Sequence, residues 1–320
     1  MGLAVATSLS ARPDWSIHIL DLNATSGKPI AASLHATFHQ SDVTNYAQLS
    51  AIFKSVFQTH RRLDFVFANA GIAEHANFFN PVTNGKSKTN GNGISAGKDG
   101  KEAKNEEVSL EPPPEPKGLH PLIDINLKAV ITTTTLAHFY MRLSPPSTTT
   151  SSPIDKSIIM TASCGGLYPA YASPIYTATK HAVVGFMRSI APSYYAHDGI
   201  RVNAICPGTV KTNLLSNEEW RVFPEEYFTP VEKIARVVVM LVDGVDGGEG
   251  RGVVGGGSGR EIGKGQRGDA EGRVGTLSGK AVEVSGERHY YREAVEFCDE
   301  PMRAVMGATN IESWGLESAK

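Results

Sequence analysis

Ser163-Cys-Gly-Gly-Leu-Tyr-Pro-Ala-Tyr-Ala-Ser-Pro-Ile-Tyr176-Thr-Ala-Thr-Lys180 joins an apolar run, Ser157 to Thr161, to a stretch of helical periodicity that opens at Pro174. The run is short and uninterrupted, as a strand buried on both faces requires, and the following helix is expected to reach about Tyr195. Tyr176 and Lys180 are four residues apart in its first turns, so they share one face and their side chains can meet. Ser163 stands at the C-terminal end of the strand. A phenol with an ordinary pKa of about 10 is a poor base at neutral pH, and a neighbouring ammonium favours its ionised form. The spacing therefore predicts that Tyr176 exchanges a proton with a bound hydroxyl while Ser163 hydrogen-bonds the same oxygen.

Outward from this stretch, strands and helices alternate. Leu3 to Arg12 reads as a helix stopped by Pro13, and Ile17 to Leu20 as a buried strand with Asp21 at its tip. Another strand ends near Ser41-Asp42-Val43. Tyr46, Leu49, Ile52, Phe53, Val56 and Phe57 then recur at helical spacing before a strand from Asp64 to Ala68. A long helix is expected from about Pro121 to Met141, a strand from Ile200 to Ile205, and a last strand from Gly279 to Ser285. Thr229-Pro230-Val231-Glu232 has the form of a capping box opening a further helix. Such alternation predicts an α/β fold, a doubly wound parallel sheet in a single domain spanning residues 1–320. Two insertions interrupt it. Residues 80–117 are polar and poor in large apolar side chains, and are expected to be disordered. Residues 244–272 are too rich in glycine for regular structure.

Ser163 with Tyr176-x-x-x-Lys180 resembles the active site of the short-chain dehydrogenase/reductase family, and other segments carry the likeness further. Asn69-Ala70-Gly71, at a strand end, resembles the family's NAG motif beside the adenosine half of the cofactor. Asn126 matches the fourth catalytic residue, which holds a water for a proton relay through Lys180. Pro207-Gly208-Thr209-Val210-Lys211-Thr212 resembles the segment that contacts the nicotinamide carboxamide through Pro207, Gly208, Val210 and Thr212. The resemblance implies a Rossmann fold, hydride transfer between a nicotinamide cofactor and an alcohol or ketone, and homodimers or homotetramers formed through the two long helices. Tyr176 and Lys180 are expected to touch the cofactor too. Asp21 can accept hydrogen bonds from both adenosine ribose hydroxyls and would repel a 2'-phosphate, so NAD is expected in preference to NADP. Asp42 and Val43 match the position that faces the adenine. Between Thr212 and Thr229 the family places a lid, here carrying Leu214, Leu215, Trp220, Phe223, Tyr227 and Phe228, which points to an apolar secondary alcohol or ketone. Asp21 together with Ser-Cys-Gly-Gly-Leu-Tyr is similar to the branch that contains 15-hydroxyprostaglandin dehydrogenase.

The N-terminus departs from the family pattern. Members begin with a strand followed by TGxxxGxG, whose glycines admit the pyrophosphate at a helix N-terminus. Met1-Gly2-Leu3-Ala4-Val5-Ala6 resembles the end of that motif, with Gly2 alone remaining, so the sheet is expected to lack its first strand. Two explanations compete: a truncated product of a gene for an active enzyme, or a protein that keeps the shape for nucleotide binding or scaffolding without catalysis. Intact Ser163, Asn126, Tyr176 and Lys180 favour the first. An NADP-dependent carbonyl reductase is a third reading, distinguished at Asp21.

Bulk properties narrow the field. A formal net charge of -2 with 41% hydrophobic and 20% charged residues gives no electrostatic reason to bind nucleic acid or an anionic membrane, and a small molecule is the expected partner. Cys164, Cys206 and Cys298 are odd in number and widely spaced, which argues for buried small side chains rather than a disulfide framework. No apolar run has the length of a membrane span, and no basic segment precedes an apolar core, so a cytoplasmic location is expected. Two GxGxxG matches, starting at Gly250 and Gly263, lie in glycine-rich sequence and are set aside as phosphate loops. His35 and His39 lack a third metal ligand, and no metal is expected.

Overall fold

The computed structural model describes residues 1–79, 114–145, 156–246, 251–253, 261–262 and 277–311. Most of the two insertions, including both GxGxxG matches beyond Arg251-Gly252-Val253, lies outside these residues. In chain order the elements are α1 (Gly2–Ser10), β1 (His18–Asp21), α2 (Ala24–Ser33), β2 (Thr37–Gln40), α3 (Tyr46–His60) and β3 (Phe65–Ala68). After the first gap come α4 (Leu119–Ile123), a π-helical turn (Asp124–Lys128), α5 (Ala129–Leu143), β4 (Lys156–Thr161), α6 (Pro174–Asp198) and β5 (Ile200–Pro207). The chain continues through α7 (Asn217–Trp220), α8 (Val231–Asp243), β6 (Arg251–Val253), β7 (Glu261–Ile262), β8 (Ala281–Ser285), β9 (Arg288–Arg292) and α9 (Glu300–Gly307).

The fold is α/β and Rossmann-like. Strands β3, β4, β5 and β8 pair in parallel in that order, and β9, β6 and β7 extend the sheet beyond β8, with β8–β9 and β6–β7 antiparallel. Strands β1 and β2 form a separate parallel pair. The break between the two ladders falls between β1 and β3, where the sequence led us to expect a missing strand. No described strand occupies that position, so β1 and β3 are each hydrogen-bonded on one side alone.

Alternation along the central strands builds a core on each face of the larger sheet. Ile158, Met160, Val202, Ala204 and Cys206 face α3, α5 and α6, meeting Phe53, Ala137, Met141, Val183 and Met187. Ile159, Ile205, Val282 and Val284 face the other way, onto Val5 and Leu9 of α1 and Ile234, Val238 and Leu241 of α8. Most inward side chains of these strands are apolar, the pattern of a sheet covered on both sides, and Ser157, Thr161, Arg201 and Asn203 are the buried polar residues of β4 and β5.

Arg201 ties the sheet to α8. It is fully buried on β5 and donates to the carbonyls of Leu241 and Val242, the latter at 2.7 Å, satisfying acceptors that the last turn of α8 leaves open. Its guanidinium also reaches the Leu277 carbonyl at 3.3 Å.

Three expectations need correction. Thr229 does not cap α8: the N-cap is Pro230, whose side chain has no hydrogen-bonding group, and the Thr229 hydroxyl instead accepts from Gly286 N–H at 2.9 Å, fastening α8 to the β8–β9 turn. The glycine-rich stretch holds two short strands, because the free edge of β9 supplies backbone partners to β6, and β6 to β7. Cys298 is exposed, whereas Cys206 is buried and Cys164 partly so.

Replacing Arg201 with Met keeps the bulk and removes the donors. The unfolding free energy is expected to fall by roughly 2–4 kcal/mol, seen as a lower urea midpoint at unchanged slope; an unchanged midpoint would mean that these carbonyls find other partners.

Candidate active site

Strand β4 delivers Ser163, which follows its last residue by two positions and begins a short turn over Cys164–Gly166. The hydroxyl of Ser163 accepts from Gly165 N–H at 3.1 Å, which holds it pointing away from the strand. Helix α6 delivers Tyr176 and Lys180. At 25 residues it is the longest described helix, and Val183, Val184, Met187 and Ala191 bury its inner face against the sheet. Pro174 sits at its first position, where the missing N–H is no loss.

One glycine allows helix and turn to meet, and a second marks how near the site lies. A Cβ on Gly166 would lie 2.7 Å from the Lys180 carbonyl oxygen, so the turn can rest on α6 only without a side chain there. At Gly165 the same atom would be 3.5 Å from the Tyr176 ring and 3.6 Å from Ser163 Oγ, ordinary contact distances that show how close the two groups lie. Ser163 and Tyr176 thus share one small space at the end of β4.

Burial raises the Tyr176 phenol above its ordinary pKa, and a hydrogen bond from Ser163 to the ionised form pulls it part of the way back. Lys180 is also buried, which lowers its amine to about 8. Its Nζ donates to the Thr161 carbonyl at 2.8 Å and stands 5.6 Å from the centre of the Tyr176 ring. The expectation that the amine makes the phenol acidic is therefore corrected for this arrangement: the Thr161 carbonyl holds the amine behind the ring, and the phenol is governed by desolvation, with Ser163 alone acting to lower it.

Asn126 is fully buried in the π-helical turn and closes a ring with the chain after β3. Ile72 N–H donates to its Oδ1 at 2.8 Å, and its Nδ2 donates to the Ile72 carbonyl at 2.9 Å. A Cβ on Gly71 would approach Asn126 Oδ1 to 3.2 Å and Lys180 Nζ to 3.6 Å, which places Asn126, Gly71 and Lys180 in one cluster.

The candidate cofactor residues line the C-terminal ends of the strands. Asn69 Oδ1 accepts from Thr161 Oγ1 at 3.1 Å across β3 and β4, and its Nδ2 lies 3.2 Å from where a Gly2 Cβ would be. Ala70 continues from Asn69 towards Gly71. The N-terminus of α1 has no side-chain cap and no acidic residue in its first turn, leaving N–H groups for an anion. Asp21 is exposed at the tip of β1 and uses Oδ1 to accept from Asn23 N–H at 2.8 Å. Asp42 bonds Thr44 through both backbone and hydroxyl, which lowers its pKa, and Val43 beside it is half-buried. Pro207 ends β5, Gly208 N–H donates to Val284 O at 2.8 Å, Val210 is buried, and the Thr212 carbonyl accepts from Trp220 Nε1 at 3.0 Å.

Beyond Thr212 a cleft of about 560 Å³ is lined by His75, Leu214, Leu215, Ser216 and Glu219 among others. His75 Nδ1 meets Glu219 Oε1 at 2.9 Å, joining the loop after β3 to α7. The lid aromatics mostly pack on one another: Trp220 is buried, with Phe223 and Phe228 rings each 5.8 Å from its own. The cleft lining is mostly polar, so of its residues only Leu214 and Leu215 carry the apolar expectation for the substrate.

Sequence reading missed four participants. Glu74 and His75 reach Tyr176 and Glu219 over separations of 102 and 144 residues, and no local motif announces such contacts. The true capping box of this region, Ser216 with Glu219, is legible in the Ser-x-x-Glu spacing. His39 pairs with His18 rather than with His35, and His18 also meets His60, each at 2.9 Å. Burial and the two neighbouring rings push His18 down to about 4. Among the described residues no group of three or more His, Cys, Asp or Glu side chains could hold a metal.

Comparison with known proteins identifies the family. The family model for short chain dehydrogenase covers residues 104–221, and that for enoyl-(acyl carrier protein) reductase covers residues 1–89. The chain is 44% identical over 317 residues to the short-chain dehydrogenase/reductase prx7 of Penicillium rubens, covering 98% of this chain and 97% of that one. The chain belongs to the short-chain dehydrogenase/reductase family. Human 15-hydroxyprostaglandin dehydrogenase [NAD(+)] is a more distant relative of this family member, 29% identical over 63% of this chain and 62% of its own length. The solved structure of ElxO with NADP bound has the same fold, with a TM-score of 0.54 at 21% identity over 75% of this chain and 86% of that one.

The two turn glycines separate packing from chemistry. Gly166→Ala is expected to reduce stability by about 1–3 kcal/mol, because backbone must move, while Gly165→Ala stays within about 0.5 kcal/mol of the parent. Thermal unfolding of both variants checks this, and equal midpoints would contradict the close approach of turn and helix.

Proposed function

We propose that this short-chain dehydrogenase/reductase transfers hydride between NAD and a secondary alcohol or ketone, with Tyr176 as the proton acceptor and donor. The observation that carries this reading is the meeting of the Tyr176 phenol and the Ser163 hydroxyl at the end of β4, with the Lys180 amine behind the ring.

In the oxidising direction the Tyr176 oxygen takes the proton of the substrate hydroxyl, and the carbinol oxygen becomes a carbonyl oxygen. Ser163 donates a hydrogen bond to that oxygen and holds it against the phenol. A bound nicotinamide supplies the hydride acceptor in this direction and the donor in reverse. Lys180, with its amine near 8, exchanges protons with its surroundings close to neutral pH. Asn126 braces Gly71 and Ile72 beside that amine and is assigned the relay from Lys180 towards solvent.

For the cofactor, the uncapped start of α1 at Gly2 fits a pyrophosphate, and Asn69, Ala70 and Gly71 fit the adjoining ribose. Asp21 at the tip of β1 supports NAD, as does the NAD(+) in the name of the prostaglandin dehydrogenase relative; the NADP bound to ElxO supports the phosphorylated form. We take the carboxylate as decisive. Asp42 and Val43 are assigned to the adenine, and Pro207, Gly208, Val210 and Thr212 to the carboxamide end. Leu214 and Leu215 in the cleft support a substrate with an apolar arm. Phe139, Leu143 and Tyr195, exposed on α5 and α6, support a homodimer or homotetramer through these helices. No described helix is long and apolar enough to cross a membrane; a cytoplasmic location belongs to this proposal.

Absorbance at 340 nm, with NAD or NADP and a panel of secondary alcohols and ketones, tests the reading. Tyr176→Phe is expected to lower kcat/KM by about 10²–10⁴. Alcohol oxidation needs the ionised phenol, whose pKa is raised, so its rate is expected to climb with pH through the neutral range. Ketone reduction needs the protonated phenol and should stay level over the same range. Cofactor binding without turnover of any alcohol or ketone would instead mark a binding protein.

Asp21→Ala is expected to shift the NAD to NADP preference by about tenfold or more towards NADP. An unchanged ratio of kcat/KM values would remove Asp21 from cofactor selection.

A further inference from the structure

Helix α6 opens without a cap of its own. Its N-cap residue, Ser173, makes no side-chain hydrogen bond to the first turn, and Pro174 has no N–H to offer. The Tyr176 N–H, at the third helical position, is one of the donors that a helix leaves open and that an N-cap side chain ordinarily takes. Here it donates to Glu74 Oε2 at 2.8 Å, a carboxylate that arrives from the loop after β3. The other oxygen, Glu74 Oε1, is buried and has no hydrogen-bond partner among the described residues. A carboxylate with one oxygen buried and unpaired is costly to keep, and a neutral apolar residue would avoid that cost.

The remainder of α6 has little freedom. Thr179, Lys180, Val183, Val184 and Met187 are all buried, so displacement of Tyr176 relative to Ser163 has to occur in the first turn. The same loop holds the rest of the site, through Gly71 against Lys180, Ile72 on Asn126 and His75 on Glu219. Glu74 is its one described side chain bonded to the helix that carries the phenol.

We propose that Glu74 is a positioning residue for the reaction: an external, charged cap that fixes the first turn of α6 and thereby sets the Tyr176 phenol against the Ser163 hydroxyl. The charge favours the positive end of the helix dipole, and the bond makes the catalytic turn part of the loop after β3. The proposal rests on the oxidoreductase reading above, in which Tyr176 carries the proton.

The test uses the full chain labelled at tyrosine with ¹⁵N and with ¹³C at Cζ, the Tyr176 signals being identified by their absence from Tyr176→Phe. In Glu74→Ala the Tyr176 amide is expected to move upfield and exchange faster, and its Cζ signal to shift or split as the phenol leaves its single position. Glu74→Gln retains an acceptor and is expected to keep both signals near their original places. In the same preparations kcat should fall by about 10- to 100-fold in the alanine variant and recover in the glutamine variant, with KM for alcohol and cofactor within about twofold. If Glu74→Ala does not fold, Glu74→Asp, too short by one methylene, is expected to give the same signature. A Cζ signal that stays in place while the amide moves would overturn the proposal. So would parallel loss of kcat, cofactor affinity and thermal midpoint in both the alanine and glutamine variants. Absence of turnover in the parent chain would count against the oxidoreductase reading alone, since the resonance data decide the role of Glu74 without turnover.

Discussion

The bond from Lys180 Nζ to the Thr161 carbonyl holds the site in register. It joins the second turn of α6 to the last residue of β4 inside a region that water does not reach, and Lys180 is only 3% exposed. A buried amine with a single strong acceptor has one place to go, so the helix cannot slide or rotate without losing that partner. Tyr176 precedes it by one turn and Ser163 follows the strand by two residues. Both are therefore placed by the same contact, and bare Gly166 lets the two backbones come close enough for it to form.

That constraint sets the electrostatics as well. Depth lowers the amine and raises the phenol, so two groups whose ordinary proton affinities nearly coincide are driven apart, the amine becoming the more acidic. The pair is tuned more by exclusion of water than by direct attraction. A hydroxyl from Ser163 is the neighbouring group that lowers the phenol, which gives it a second effect beyond orienting a substrate.

Much of this was legible in the sequence because it depends on short-range pattern. The four-residue step from Tyr176 to Lys180, the unbroken apolar runs of β4 and β5, and the alternation around Asp21, Asn69 and Pro207 all reflect local periodicity, and the fold followed from them. What escaped was of two kinds. Side chains that serve distant partners, such as Glu74, Arg201 and Thr229, look like ordinary surface or capping residues until the chain is folded. Thr229 misled because a capping box depends on which hydrogen bond wins, and Gly286 offered a better one. Quantities set by depth, such as the Tyr176 pKa, likewise have no signature in spacing; the proximity of an amine was visible, its tether to Thr161 was not.

The sheet's division into two ladders bears on how the molecule breathes. Segments not joined by backbone hydrogen bonds can open separately, each with its own local stability. The unit formed by β1, α2 and β2 contains little of the deepest core, whereas β4 and β5 lie at its centre. Amide exchange should accordingly be quick in the former and slow in the latter. Under the proposed cofactor assignment, a dinucleotide reaching from Asp21 to Tyr176 would span both units, acting as a staple across a seam that no described strand bridges.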